Sequence, residues 1–522
     1  TGGASAGTGG ASAGSGGASA GSGGASAGSG GASAGSGGAT AGAGGASAGA
    51  AGTGGAGGAV GCVGTDTACT TSTNTQGLCR SGVCADCAEP ADDGACGAAY
   101  GAGNVCLAAA CGVCDAVGTT YVVDPVNGDD ALATGSGTSG GAAAARCAFK
   151  TVTAAIAAIG GNAAGPALTI SVVGPSTLDA GETYPLRVPR LVTVTTSGGD
   201  VIVKPTGDDR VFDLATDGAT LDGGAHLLDI DATSLVGNNT VGVLVTTGST
   251  DATTLRRVRI TGAPASCVAV GGTGRVTVKE GTHLTSCGRL SPRAAFTVGD
   301  GAAFASFVAA AGEAPIHIEQ SPTGLAVIGS AAVKLSGVPD PVTVGQGTIL
   351  IEKCAGSGVL ITQSATSVGG PPLCELDGVV SFANGGGIGG SGLRATWTSN
   401  VKLRNSAMLG NTGHGVHLIA PNGGAGTLRV DLGTAGDPGH NTLQRTNAQG
   451  NINLGVGVCF SPANRTNLTI PARGNIFGPN DCASSTATLS RLANGPNACS
   501  GGRDTGVDAT PASNSIDVAT CQ

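Results

Sequence analysis

Cysteine is the residue type with the greatest chemical potential in this chain: 18 of 522 residues, nine of them between Cys62 and Cys114. Cys69, Cys79, Cys84 and Cys87 follow C-x9-C-x4-C-x2-C, and Cys96, Cys106, Cys111 and Cys114 repeat the formula 27 residues later. A four-cysteine module of this size cannot bury a core and needs staples. Disulfides are the expectation; zinc is the alternative, because Cys84-x2-Cys87 and Cys111-x2-Cys114 have ligand-like spacing. Cys62 is left over from the eight. Further along, Cys267/Cys287, Cys354/Cys374, Cys459/Cys482 and Cys499/Cys521 stand 20, 20, 23 and 22 residues apart, and Cys147 is unmatched. So many thiols would be a liability in a reducing cytosol, and the protein is read as secreted or associated with the cell surface.

The remaining polar clusters are sparser. Asp124, Asn127, Asp129 and Asp130 form an oxygen-rich loop that suits either calcium or ordinary Asx-turn chemistry. The acidic stretch from Asp208 to Asp231 has the same two readings. Arg257 and Arg259 belong to the basic cluster; on one strand they would share a face that could hold an anionic sugar, or simply be solvated. In Gly413-His414-Gly415, period two puts His414 on the inward side if Val416 and Leu418 point inward, with His417 outward, which favours a structural role. No Ser-His-Asp order, P-loop or dinucleotide fingerprint stands out, so no catalytic residue is assigned and no cofactor beyond calcium is implied. A net charge of −9 and pI of 5.1 exclude a clustered basic surface of the kind nucleic acid requires. No apolar run reaches the roughly 18 to 20 residues of a bilayer span.

Three kinds of chain surround these residues. Residues 1–49 are seven copies of a Gly/Ala/Ser heptad, TGGASAG and its variants. It lacks the large apolar residues of a coiled coil and the strict glycine period of collagen. Such a tract is a flexible linker, or an extended arm laid along neighbouring subunits. After the cysteine-rich part, Phe149, Val152, Ala155, Ile156 and Ile159 recur at helical spacing. Then come short alternating runs separated by Gly, Asn, Asp and Pro: Leu168–Val173, Leu191–Thr195, Val201–Val203, Val241–Val245, 341–344, Val416–Ile419, 428–432 and 451–454. This pattern describes an all-β solenoid, sandwich or barrel. The late cysteine intervals decide for a solenoid, since each is about one coil of a parallel β-helix. Stacked positions about 4.8 Å apart fall within disulfide reach. About 22 residues per coil would give roughly 16 coils after residue 168. Cys62 and Cys147, or a reshuffled equivalent, are expected to link the cysteine-rich region to the helix.

The runs YVVDPVNGDD, FKTVTAAIAAI and TISVVGPSTLDAGETYPLRVP, with the later NTGHGVHL, resemble right-handed parallel β-helix proteins of the pectate-lyase-like superfamily, in a bacterial branch of undefined function. The resemblance covers residues 120–522. It implies a fold that serves lyases, hydrolases, adhesins and structural proteins alike. Lyases of that superfamily cluster acidic residues around calcium, and related polygalacturonases add several Asp to a Gly-His-Gly. Here Gly413-His414-Gly415 matches, but no paired-Asp motif precedes it.

The expected fold is therefore all-β: a right-handed parallel β-helix over 119–522 with a short N-terminal capping helix. A disulfide-rich module over 61–118 and a low-complexity arm over 1–60 precede it. The functional expectation is an exported structural protein, self-associating end to end as a homopolymer filament. The alternative is a polysaccharide partner, cleaved by a lyase or hydrolase or merely bound by an adhesin.

Overall fold

The structure, a computed structural model, describes residues 61–114, 118–133, 145–160, most of 165–443, and 456–460, 469–475, 490–494 and 515–517. Within 165–443 the segments 180, 208–209, 215–216, 247–251, 291–292, 339–346, 364–371, 386–389 and 420–428 lie outside the description. The arm 1–60, the runs at 341–344 and 451–454, and the pairs expected for Cys459 with Cys482 and Cys499 with Cys521 also lie outside the described residues.

Short runs of β-branched residues dictate the local structure. In Val192–Ser197, the side chains of Val192, Val194 and Thr196 are buried while Thr193, Thr195 and Ser197 face outward. Such a strand covers only one face, so it must stack on others. Three parallel sheets result. Sheet 1 has eleven strands, from Thr120–Val123 to Arg429–Asp431; sheet 2 has nine, from Ser176–Leu178 to Ala407–Leu409; sheet 3 has eleven, from Leu186–Arg187 to Ser490–Asn494. Each coil visits them in turn, as Arg275–Lys279, His283–Thr285 and Ala294–Gly301 do. The chain is thus a right-handed parallel β-helix. Inward valines, leucines and isoleucines form one continuous core from Val123 to Ala472, with Phe212, Phe296 and Phe307 its largest fully buried side chains.

Corners are made by single residues in the left-handed region. From sheet 2 to sheet 3 the corner residues of six successive coils are Gly262, Ser286, Gln320, Lys353, Ala383 and Gly410, with φ between 52° and 74°. Left-handed backbone disfavours side chains, yet four of the six are not glycine. What holds them follows immediately in sequence. At three of those four the next residue points inward and its N–H is accepted by a side chain one coil on: Cys287 N by Ser321 Oγ (3.1 Å), Cys354 N by Asn384 Oδ1 (3.0 Å), Asn384 N by Asn411 Oδ1 (3.1 Å). The corner from sheet 1 to sheet 2 works alike. Gly378, Asn405, His440 and Gly474 have φ of 46° to 73°, and Val379 N, Ser406 N and Asn441 N donate to Ser406 Oγ, Asn441 Oδ1 and Asn475 Oδ1. Buried amides are thereby satisfied where the strand ladders stop.

One end of the stack is capped by helix α2 (Val152–Ile159), which buries Val152 and Ala155 against the first coils. Its N-terminal amides are met by Thr151 Oγ1 and by both carboxylate oxygens of Glu182. Before it lies helix α1 (Asp93–Tyr100) between a small three-stranded antiparallel sheet and an antiparallel hairpin.

The cysteine framework differs from the spacing rule by one cysteine. Bonds join Cys62–Cys79, Cys69–Cys84, Cys87–Cys106, Cys96–Cys111 and Cys114–Cys147. The repeating unit is therefore Cys62/69/79/84 followed by Cys87/96/106/111, and sulfurs bonded in this way are not thiolate ligands for zinc. In each module the third and fourth cysteines face each other across a hairpin, Cys79 opposite Cys84 and Cys106 opposite Cys111. A residue opposite another across a hairpin can reach a third strand or loop with its side chain, and the first two cysteines supply those partners. Cys62 is thus internal to the first module, and Cys114 carries the bond to Cys147. Asp93 and Arg146 add an ion pair beside it, 2.7 Å between Oδ2 and Nη2.

Coil length also departs from expectation. Stacked residues stand from 23 apart (Thr253 to Val276) to 49 apart (Thr120 to Thr169, with helix α2 between them), so 20 residues fall short of one coil. Cys267–Cys287 is bonded, because Cys287 lies at the corner just before the strand that stacks on that of Cys267. Cys354 and Cys374 are not bonded to each other and are free, buried thiols. One coil on from Cys354 is Asn384, whereas Cys374 opens a sheet 1 strand against Val401.

Two outcomes follow. Burial pushes both thiols up to about 12, so at pH 8 neither forms thiolate; peptide mapping should find Cys354 and Cys374 alkylated only after unfolding. Asn384→Ala removes the acceptor for Cys354 N and should lower unfolding free energy by about 1–3 kcal/mol, read by denaturant titration.

Candidate functional site

Because inward positions are filled, any site must lie on the outward half of the alternation. Sheet 1 carries an outward column of hydroxyls. Thr169, Thr193, Thr220, Thr254, Thr277 and Ser306 are register partners on six successive strands. The column continues as Lys334, Glu375, Lys402 and Asp431. A row of partly exposed hydroxyls with a rise of about 4.8 Å per strand therefore gives way to alternating charges. Beside the hydroxyls a depression of about 490 Å³ is lined by Thr220, Asp222, Thr254, Arg256, Lys279 and Glu280.

The charges here are neutralised locally. Arg256 reaches Glu280 at 2.5 Å and Asp222 at 3.4 Å. Lys334 pairs with Glu375 at 3.2 Å. Lys402 and the buried Arg404 converge on Asp437, each at 2.9 Å, and the two cations hold its carboxyl down to about 2. Hydroxyls and paired charges are groups that exchange hydrogen bonds with other hydroxyls.

The residues singled out in the sequence are dispersed. Asp124 accepts from Val126 N and Asn127 N, an Asx-type turn; Asp129 accepts from Ala131 N; Asp130 accepts from Lys150 N and Thr151 N at the start of α2. Their oxygens, with Asn127 Nδ2 donating to Asp124, serve the chain fold at this loop. Arg257 and Arg259 do not share a strand face. Arg257 is a left-handed corner residue, φ 50°, donating to Gly224 O, while Arg259 is on sheet 2 in a two-pronged pair with Asp229. Neither guanidinium faces an open anion site.

Two histidine clusters complete the outward faces. On sheet 3, Leu360, Arg394 and His417 are register partners. His414 is buried, and its ring lies 4.9 Å from that of His417. Burial, with His414 and Arg394 alongside, pushes His417 down to about 3; burial likewise lowers Arg394, which forms no ion pair among the described residues. On sheet 2, His283 and His317 stack with Glu319. Sequence reading missed this second cluster. The alternation Ile316-His317-Ile318-Glu319 marks two outward polar side chains, but nothing local says that His283 lies on the adjacent strand.

These features define a class, a right-handed parallel β-helix with covalently stapled N-terminal modules. No protein-family model matches the chain, and no curated protein matches it. Among solved structures it resembles the A-module of mannuronan C-5 epimerase AlgE6 of Azotobacter vinelandii, with a TM-score of 0.32 and 12% identity over 62% of this chain and 81% of that one. It also resembles the periplasmic alginate epimerase AlgG, with a TM-score of 0.24 and 12% identity over 63% and 76% of the two chains. The likeness is one of fold. No described helix is long and apolar enough to cross a membrane.

His417 provides a pH readout. Its native-state value lies below that of an unfolded histidine, so acid protonates the unfolded chain first and stability falls as pH drops from about 6.5 toward 3. NMR titration should show His417 neutral at pH 5, and His417→Gln should flatten that part of the stability profile.

Proposed function

We propose that this is an exported β-helix protein that binds a linear polysaccharide along the outward face of sheet 1. The single observation that carries the reading is the in-register row from Thr169 to Ser306. Its repeat, about 4.8 Å, is comparable to the advance of one sugar unit along an extended glycan. A polymer lying along the stack would therefore meet the same donor and acceptor at each step. Weak contacts repeated in this way suit binding without a single catalytic centre. Internal neutralisation of Arg256, Lys334 and Lys402, together with the acidic net charge, favours a neutral glycan over a polyanion. The five disulfides between Cys62 and Cys147 support an oxidising, extracellular setting.

A second reading, action on an acidic polysaccharide, is favoured by Arg394 beside His414 and His417 on sheet 3. End-to-end assembly into a filament, with the arm along neighbouring subunits, has no specific observation in its favour and ranks below both.

A glycan array and isothermal titration on the full chain test the order. Binding to neutral linear glycans should weaken about tenfold or more when Thr193, Thr220 and Thr254 are changed together to Val, removing hydroxyls at nearly constant volume. Arg394→Ala should leave that binding intact. Absence of binding to any neutral glycan, or equal affinity in the valine variant, overturns the proposal. Turnover of an acidic glycan lost in Arg394→Ala would establish the second reading instead.

A further inference from the structure

We propose that the outward face of sheet 2 holds one divalent transition-metal ion of the zinc class, ligated by His283, His317 and Glu319, with Glu352 closing the site. The argument begins with register. His283 and His317 are directly opposed on adjacent strands, and Glu319 and Glu352 are opposed on the next pair. Stacking of coils therefore forces the two imidazoles into contact, their rings 4.6 Å apart and 6° from parallel. Period two then brings Glu319 to the same face as His317, two residues on in one strand.

Donor atoms converge within this frame. His283 Nε2 lies 3.0 Å from Glu319 Oε1, and His317 Nε2 lies 4.0 Å from Glu319 Oε2 and 3.3 Å from Glu352 Oε1. One donor from each of His283, His317 and Glu319 falls within 4.8 Å of the others. Around a tetrahedral ion with bonds of about 2.0–2.1 Å, ligand atoms stand roughly 3.3 Å apart. Rotation of one imidazole out of the stack, so that both in-plane lone pairs meet, together with shifts of the carboxylate tips would close the site on strands that need not move. His317 Nε2 is enclosed yet makes no hydrogen bond of good geometry.

Chemistry selects the class of ion. Two imidazole nitrogens and two carboxylates suit zinc and its neighbours, whereas calcium and magnesium prefer all-oxygen shells. Other charges nearby are already matched: Arg259, opposed to His283 on the other side, is paired with Asp229, and Lys353 holds the outer edge of Glu352 at 2.6 Å. In the ion-free protein the His283 Nε2–H donates to Glu319. An ion replaces that proton: in a neutral imidazole the ring is protonated at Nδ1 instead, and from an imidazolium one proton is released to solvent while Nδ1 keeps the other.

The test uses the full chain, stripped with chelator and titrated with Co2+ by visible absorption and with Zn2+ by calorimetry. One equivalent should bind with the spectrum of nitrogen and oxygen ligands, and millimolar Ca2+ should not compete. Glu319→Gln, which keeps the shape of the side chain, and His283→Gln should each weaken binding by about 100-fold or more, and Glu352→Gln by about tenfold. His440→Gln, at a remote corner, should change nothing. Failure of the unaltered protein to bind, undiminished affinity in Glu319→Gln, or thiolate-to-cobalt charge transfer placing the ion on cysteines would each overturn the proposal.

Discussion

The structure rests on in-register stacking of coils. A parallel strand finds its hydrogen-bonding partners only in the coil before and the coil after, so no coil is stable alone and each must return within about 4.8 Å of its predecessor. That requirement explains the corners. A left-handed residue with a side chain costs on the order of 1 kcal/mol or more, yet Ser286, Gln320, Lys353 and Ala383 hold that conformation in consecutive coils. The turn is imposed by the strands on either side and by the amide that follows it, which the next coil's Ser321, Asn384 or Asn411 accepts. Scarce aromatics and abundant glycine suit the same demand, since a narrow interior is filled by Val, Ile, Leu and Ala.

Stacking also decides where chemistry can occur. Inward positions are committed to the core, so every column of functional groups is outward, with its members inherited from residues 23 to 49 apart in sequence. Sheet 1 builds hydroxyls and then paired charges; sheet 2 builds the Asp229–Arg259 pair, the His283–His317 stack and then the apolar Leu350, Val380 and Ala407. An outward side chain thus meets two neighbours chosen by register. Extended, repetitive recognition arises readily from such columns, whereas a ligand-converging cluster forms only where two columns happen to place donors side by side.

Much of the fold is legible in the sequence because alternation of β-branched residues is local. Leu168–Val173, Val201–Val203, Val241–Val245 and Val416–Ile419 are strands with those same limits, and of the helical spacing from Phe149 to Ile159 the part Val152–Ile159 is a helix, while Phe149 forms a bridge with Val123. Coil length is not legible, since loops between strands absorb insertions without disturbing the sheets. For that reason Cys354 and Cys374, 20 residues apart, lie on different sides of a coil rather than one above the other. The cysteine-rich modules illustrate a related ambiguity: the same intervals can be framed from Cys69 or from Cys62, and only the hairpins at Cys79/Cys84 and Cys106/Cys111 decide. The site on sheet 2 is hidden for the same reason as coil length, as His283 and His317 are 34 residues apart and become neighbours only through stacking.

The molecule uses two kinds of fastening, and their distribution follows from local resources. Near its N-terminal end the chain has short hairpins and little apolar surface, with Leu78 the main non-cysteine member of a small separate core. There, disulfides act mainly by limiting the unfolded chain. Within the stack, where strands already meet in register, a buried side-chain amide can satisfy two groups one coil apart. Asn384 shows the economy of this: its Oδ1 accepts from Cys354 N, while its Nδ2 donates to Ile351 O and Asn411 Oδ1. Asn441 and Asn475 repeat the arrangement at the other corner. An asparagine of this kind stabilises only a correctly registered neighbour, because a slip of one residue would strand its polar atoms in an apolar interior. Five disulfides hold the modules that lack register and tie them to the segment leading into α2, while within the stack amide ladders enforce register, joined there by the one described bond Cys267–Cys287.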